Sequence, residues 1–420
     1  MIIIIIILLF LLLYMNYNVT KDFLYPPVMF ASVWLISLLC ILLTREWLYP
    51  ISSETFMIYF IGAVTFSIGG LTAISYMSQN IMKVQHLNHM CVAKIHKFLD
   101  YVLFITALLF PLYLKSAADD FDISNIMIFF AKQRELFLAL ESSERTFSLL
   151  NNLPILSFIL AMLMYLENDG SFSRKLRAYM AIIVAFSYGI IIGSKANFIT
   201  LILAITSINI MRSKNFKIFP LVKVLIIVAF SFSFLLLFSN FAYMDTDISV
   251  DTFHLLIKTV HNYWIGGLVA FDRIVQDPSS IESTQHLNRF FLETANGFGA
   301  NFKIPFLHAE YTQISTDQET NVYTIYFSYY KDFGWYGLIV GMYILGVVLS
   351  WIYAVARKGN PVAMVTYGMI STGIILSVHA EHFILNMNYY IKMVLFSFLV
   401  YYGISRISFS KFHSFKVSND

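Results

Sequence analysis

Thr55–Tyr76 reads TFMIYFIGAVTFSIGGLTAISY and holds no charged residue. As a helix it is long enough to span roughly 30 Å of hydrocarbon. Ten further apolar runs flank it: Ile2–Tyr17, Pro27–Leu43, Phe98–Leu114, Phe147–Leu166, Ala178–Ile192, Phe198–Met211, Pro220–Ser239, Trp335–Val355, Val362–Val378 and Tyr389–Ser405. Ile2–Tyr17, Ala178–Ile192 and Phe198–Met211 are short. The pattern predicts an all-α, polytopic integral membrane protein with about 11 (10–12) transmembrane helices. Composition agrees. The chain is 58% hydrophobic and 13% charged, against about 25% charged in a soluble domain, and its mean hydropathy is +0.71. Ile2–Tyr17 lacks a basic leader and a small-residue cleavage site, so a retained helix is expected. Cys40 and Cys91 offer neither a disulfide framework nor metal-ligand spacing.

The charges are sorted along the chain. One set of alternate connections carries Lys21; Lys83, Lys94 and Lys97; Arg174, Lys175 and Arg177; Arg212, Lys214 and Lys217; Arg357 and Lys358; and Arg406, Lys411 and Lys416. The other set carries Glu46, Glu54, Asp119, Asp120, Asp122, Glu135, Glu141, Glu144, the acids from Asp245 to Asp332, and Glu381. Cytoplasmic loops collect Lys and Arg, so the first set is expected inside and the second outside. Residues 1–420 then form a single transmembrane domain with two long outer loops, 115–146 and 240–334. Ile123–Leu140 in the first suits a helix on the membrane surface. The second is far longer than a connector needs to be, which marks it for function.

In that loop Asp251, His254, Lys258 and His261 recur at spacings that share one helix face. Such a stripe lines a sugar or phosphate site, or is simply the wet side of an interfacial helix. Trp264, Gly266–Gly267 and Phe271–Asp272–Arg273 follow. The glycines permit close approach of backbone or substrate. Arg289, His308, Glu310, Asn321, Tyr323, Lys331 and Asp332 come next. Arg suits phosphate through its fork of donors, and His or Glu suits proton transfer. Lys195 sits in a tight turn expected outside, against the inside bias, which makes it a functional candidate. His379, Glu381 and His382 share a short outer turn. Asp120–Asp122 and Asp245–Asp247 are DxD pairs, but neither they nor this turn completes a metal-ligand set, and no metal is expected.

Several stretches resemble the oligosaccharide repeat-unit polymerases, the Wzy or O-antigen polymerase family. They are Phe23–Pro27 before Trp34, Gly193–Lys195, Trp264–Arg273, Asn321–Thr324, Tyr329, and Asp332–Gly334 with Gly337. The family more often has Arg where this chain has Lys195. The resemblance implies a glycosyltransferase of the bacterial inner membrane with a GT-C-like fold, a periplasmic active site and no cofactor. It would join undecaprenyl-pyrophosphate-linked oligosaccharide repeat units into the O-antigen-type polymer of lipopolysaccharide. A flippase and a chain-length regulator would be its partners, and nucleic acid would not. Lys195, Arg273 and Arg289 would then face the pyrophosphate. His308, Glu310 and Glu381 are candidates for the base. His254, Lys258, His261, Asn321, Tyr323 and Asp332 would hold substrate. An O-antigen ligase, a flippase and a membrane acyltransferase are the rival readings. Helix interiors nearly free of charge favour a surface enzyme over a flippase.

Overall fold

The computed structural model describes residues 1–79, 89–117, 149–191, 195–212, 250–277, 287–304, 311–316 and 318–403. The chain is almost wholly helical. The helices are α1 (Ile2–Thr20), α2 (Pro26–Leu43), α3 (Ser53–Gln79), α4 (His89–Ala117), α5 (Leu153–Leu166), α6 (Phe172–Ile191), α7 (Lys195–Arg212), α8 (Val250–Gln276), α9 (Arg289–Gly297), α10 (Tyr326–Arg357), α11 (Pro361–Ile375) and α12 (Met387–Phe398). Thr312–Gln313 and Glu319–Thr320 form a small antiparallel hairpin, β1–β2.

Among the described residues, six helical stretches are long and apolar enough to cross a membrane: Ile2–Thr20, Pro26–Leu43, Ser53–Met77, Ala93–Lys115, Tyr326–Arg357 and Pro361–Val378. Leu153–Leu166 and Ile199–Arg212 are shorter apolar helices. The expected span Pro220–Ser239, the surface helix Ile123–Leu140 and both DxD pairs lie outside the described residues. The segment before Trp335, expected as loop, is helical from Tyr326, and the chain turns at Gly334 (φ 59°) before the helix resumes.

Contacts divide the chain into two compact units. Unit 1 comprises Met1–Met82, Thr246–Val355 and Ile370–Asn388. Its core is aromatic: Tyr25, Phe30, Trp34, Tyr59, Phe66, Phe271 and Tyr326 are all buried. The ring centroids of Trp34 lie 4.6 Å from Tyr326 and 4.9 Å from Tyr59. The Tyr59 hydroxyl donates to the Leu268 carbonyl (2.7 Å), and the Tyr326 hydroxyl donates to the Tyr59 carbonyl (3.1 Å). α3 and α10 touch backbone to backbone. A Cβ added at Gly346 would lie 2.1 Å from the Phe66 carbonyl oxygen, the close approach that small residues allow between helices in lipid. Asn16 of α1 donates to Ser67 of α3 (2.9 Å), a buried polar clamp between two apolar helices.

Unit 2 comprises Lys83–Asp245, Ala356–Met369 and Tyr389–Asp420. Its core is aliphatic and small, with Leu99, Leu160, Leu163, Ala178, Ala181, Ala185, Leu201 and Ala204 buried together. One end of it is ionic. Arg177 bonds Asp100, and Arg174 bonds Asp169 at 3.0 Å. Arg212 caps α5 through the carbonyls of Tyr165 (3.1 Å) and Asn168 (2.7 Å), as a cation at a helix C-terminus should. The Tyr401 hydroxyl donates to Glu167 (2.7 Å).

Candidate functional site

α8 builds the site in unit 1. Its first residues include Asp251 and His254. From Ile265 to Val275 the apolar side chains Ile265, Leu268, Val269, Ala270, Phe271, Ile274 and Val275 are all buried. This half of α8 is therefore not an interfacial helix with one wet side. It packs on α2, α3, the hairpin and the 3-10 turn Leu376–Val378. Gly267 makes that packing possible, since a Cβ there would lie 3.1 Å from the Val378 carbonyl oxygen and 3.3 Å from that of Val322. The close approach that the paired glycines allow is thus made by backbone at Gly267 and by the Ile314 side chain at Gly266.

The connection between α2 and α3 runs along α8 as a strap. His261 Nε2 bonds the Thr44 hydroxyl, and its ring lies 5.0 Å from Trp47. Burial holds the His261 pKa below the usual histidine range, and the bond to Asn262 works weakly the other way. The ring is neutral near pH 7 and serves as a latch. Farther along, Asp272 is 4% exposed. Its carboxylate accepts from the Ser52 amide (2.9 Å) and the Ser52 hydroxyl (2.6 Å). Ser52 in turn accepts from the Thr55 amide (3.3 Å), so Asp272 sets the cap of α3. Arg273, next to it, is exposed and stands 4.5 Å over the ring of Tyr49, a cation–π contact that keeps the guanidinium available.

Beside the strap lies a cavity of about 260 Å³ lined by Glu46, Trp47, Leu48, Tyr49, Lys258, Ser315 and Thr316. Pockets that engulf drug-sized ligands run to roughly 300–1,000 Å³. This one suits a single sugar ring or phosphate group. Its chemistry is an aromatic wall, hydroxyls, one cation and one carboxylate. Lys258 and Arg273 are fifteen positions apart on one helix, roughly 22 Å along its axis. The two cations therefore serve different parts of any ligand.

The other expected residues fall in three groups. Tyr323 is buried and its hydroxyl bonds Thr312 (2.6 Å), which ties the Asn321–Thr324 stretch to the hairpin. Asp332 accepts from the Leu287 amide (2.9 Å) just before α9, where Arg289, 6% exposed, bonds Glu293 (2.8 Å). Glu381 is 3% exposed and accepts from the amides of Phe383 (2.9 Å), Ile384 (3.1 Å) and Leu385 (2.9 Å) and from Tyr329 (3.3 Å). Burial raises its pKa, and those bonds oppose the rise. Its oxygens organise the turn.

His379 and His382 in the same turn have inaccessible Nε2 atoms with no hydrogen-bond partner among the described residues. Burial lowers their pKa values to about 3 and about 4. Lys195 opens α7 in unit 2. His308 and Glu310 lie outside the described residues. Among the described residues no group of three His, Cys, Asp or Glu side chains is arranged to hold a metal. Trp47, Tyr49, Ser315 and Thr316 were not evident as site residues. Only the aromatic Trp47–Leu48–Tyr49 run between two spans hints at them. The chain matches no protein-family model, no curated protein and no solved structure.

Proposed function

We propose that this protein polymerises lipid-linked oligosaccharide repeat units outside the cytoplasm, as O-antigen polymerases do. One observation carries the reading. Two of the stretches that resemble that family, Trp264–Arg273 and Asn321–Thr324, are far apart in sequence, yet they pack on one another in unit 1, while Lys195 belongs to unit 2. Gly267 lies against Val322, and the ring of Phe271 lies 5.8 Å from that of Tyr330. The first of these stretches ends in the exposed Arg273, which stands over Tyr49, a residue that lines the cavity.

In the proposed reaction an acceptor sugar hydroxyl attacks the anomeric carbon of the donor. The bond to pyrophosphate breaks, and the hydroxyl proton passes to a base. Charge grows on the leaving pyrophosphate, so a fixed cation that meets it lowers the barrier. Arg273 is the proposed cation, and the cavity at Lys258 is the proposed sugar subsite. His308 or Glu310 is the proposed base, because the oxygens of Glu381 already accept four hydrogen bonds. Deletion of the gene followed by a lipopolysaccharide gel tests the reading. Polymerase loss leaves core capped by a single repeat unit. Bare core would instead identify a ligase, and an unchanged ladder would overturn the proposal. A reporter active only outside the cytoplasm, fused after Ser280, tests the sidedness, and silence there would reverse it.

A further inference from the structure

Among the described residues, the ionic end of unit 2 carries two cations that the protein leaves unused. Arg174 and Arg177 are paired with acids, and Arg212 caps α5. Arg357 reaches the Met211 carbonyl (3.3 Å). The acids at this end are also engaged: Asp100 and Asp169 by arginines, and Glu167 by Tyr401 and by His96 at 3.8 Å. Lys97 on α4 and Lys175 on α6 are exposed and have no partner among the described residues.

Their positions are equivalent. α4 and α6 are in contact, and both begin at this end. Lys97 precedes Asp100 by three residues and Lys175 precedes Arg177 by two, roughly 4.5 and 3 Å of helix rise. The Asp100–Arg177 pair joins the two helices, so the lysines stand at one level, just beyond it. Below each runs an apolar stripe. Tyr101, Phe104 and Leu108 follow Lys97 at helical spacing, and Tyr179 and Ile183 follow Lys175. All five are more than half exposed. Exposed aromatic and aliphatic faces of that extent are solvated by acyl chains. A free ammonium at the head of such a face meets the phosphate level of a lipid.

We propose that Lys97 and Lys175 bind the phosphates of anionic phospholipids, whose acyl chains lie on the exposed faces of α4 and α6. The lipid is a structural ligand of unit 2, and the site is independent of the polymerase reading. Full-length protein is placed in nanodiscs of phosphatidylcholine with a minority of phosphatidylglycerol, and the lipids retained after extraction are counted by native mass spectrometry. Phosphatidylglycerol is expected above its share of the bilayer. Lys97→Gln and Lys175→Gln should each lower that enrichment about five-fold, the equivalent of roughly 1 kcal/mol per cation. Arg at either position should preserve it. The Gln variants sit on exposed surface and should melt with the wild-type protein in pure phosphatidylcholine. A wild-type protein that retains both lipids in proportion, or an enrichment unchanged in a folded double variant, overturns the proposal. Displacement by inorganic phosphate at the same concentration would also overturn it, since the site would then take a free anion.

Discussion

Tyr59 and Leu163 are both wholly buried, one in each unit, and they fill their cores in different ways. Around Tyr59 the neighbours are rings with polar tips, and the hydroxyls of Tyr59 and Tyr326 bond backbone carbonyls on other elements. Around Leu163 they are aliphatic chains and alanines. A ring with a bonded hydroxyl has one allowed direction, so it fixes the segment it touches. An aliphatic core constrains volume more than direction. Unit 1 therefore holds irregular segments in place: the strap, the hairpin and the turn at Glu381. Unit 2 keeps its ions at one end, and both units leave apolar faces exposed, on α1 in the first and on α4 and α6 in the second. Positioned chemistry is expected in the first unit.

The sharpest way to break this contrast is at the α3–α10 crossing. Gly346→Leu places side-chain atoms inside the Phe66 backbone, and folded protein should be lost, as read by yield and monodispersity. A well-behaved variant would show that unit 1 yields as an aliphatic core does. Next in size is Glu381→Ala, which strips the acceptor from three amides and should destabilise by about 3–5 kcal/mol in thermal unfolding. Glu381→Gln keeps one oxygen and should lose about half as much. If the Gln variant is as stable as wild type and yet inactive, Glu381 is the base after all.

Acid gives a smaller effect. His379 and His382 titrate in the fold at about 3 and about 4, below the ordinary value of 6.5. The unfolded chain therefore binds more protons below pH 6.5, and stability falls as pH drops from there toward 4. The two together should cost about 3 kcal/mol between pH 6.5 and 5. The raised pKa of Glu381 acts in the opposite sense, losing stability as pH rises above its unfolded value. Changing both histidines to Gln should flatten the acid limb and leave the rest of the curve alone. The smallest effect is on turnover. Arg273→Ala should slow polymer formation about tenfold, the loss of one charge-assisted contact. Arg273→Lys should recover part of it, and unchanged polymer would move the pyrophosphate elsewhere.

Spans were legible because hydropathy reports lipid directly. The helices Ile2–Thr20 and Ser53–Gln79 cover the apolar runs Ile2–Tyr17 and Thr55–Tyr76 and extend a few residues beyond them. The helix over Asp251–His261 followed from polar spacing alone. The fate of its second half did not, because Ile265–Val275 contains Gly, Asp and Arg and reads as loop or interface until its partners are known. Those partners, Ser52, Val322 and Val378, are distant in sequence. The glycine pair pointed to a close approach without telling backbone from substrate. For the carboxylates, residue type marks Glu381 for proton transfer, and only its neighbours show that its oxygens also anchor the turn. Asp272 gives no such sign beside Arg273, because nothing local distinguishes a buried capping acid from a surface one.

The start of α3 depends on a residue 220 positions downstream of Ser52. Ribosomes add about 5–20 residues per second, so roughly 10–45 s separate the two during synthesis. For that interval the first three helices wait in the bilayer with the α3 cap half made. α8 then arrives and brings His261 to Thr44 and Asp272 to Ser52. The partners of Gly267, Val322 and Val378, follow later in the chain, so unit 1 is completed in stages, and any pause in translation before Asp272 prolongs the half-made cap.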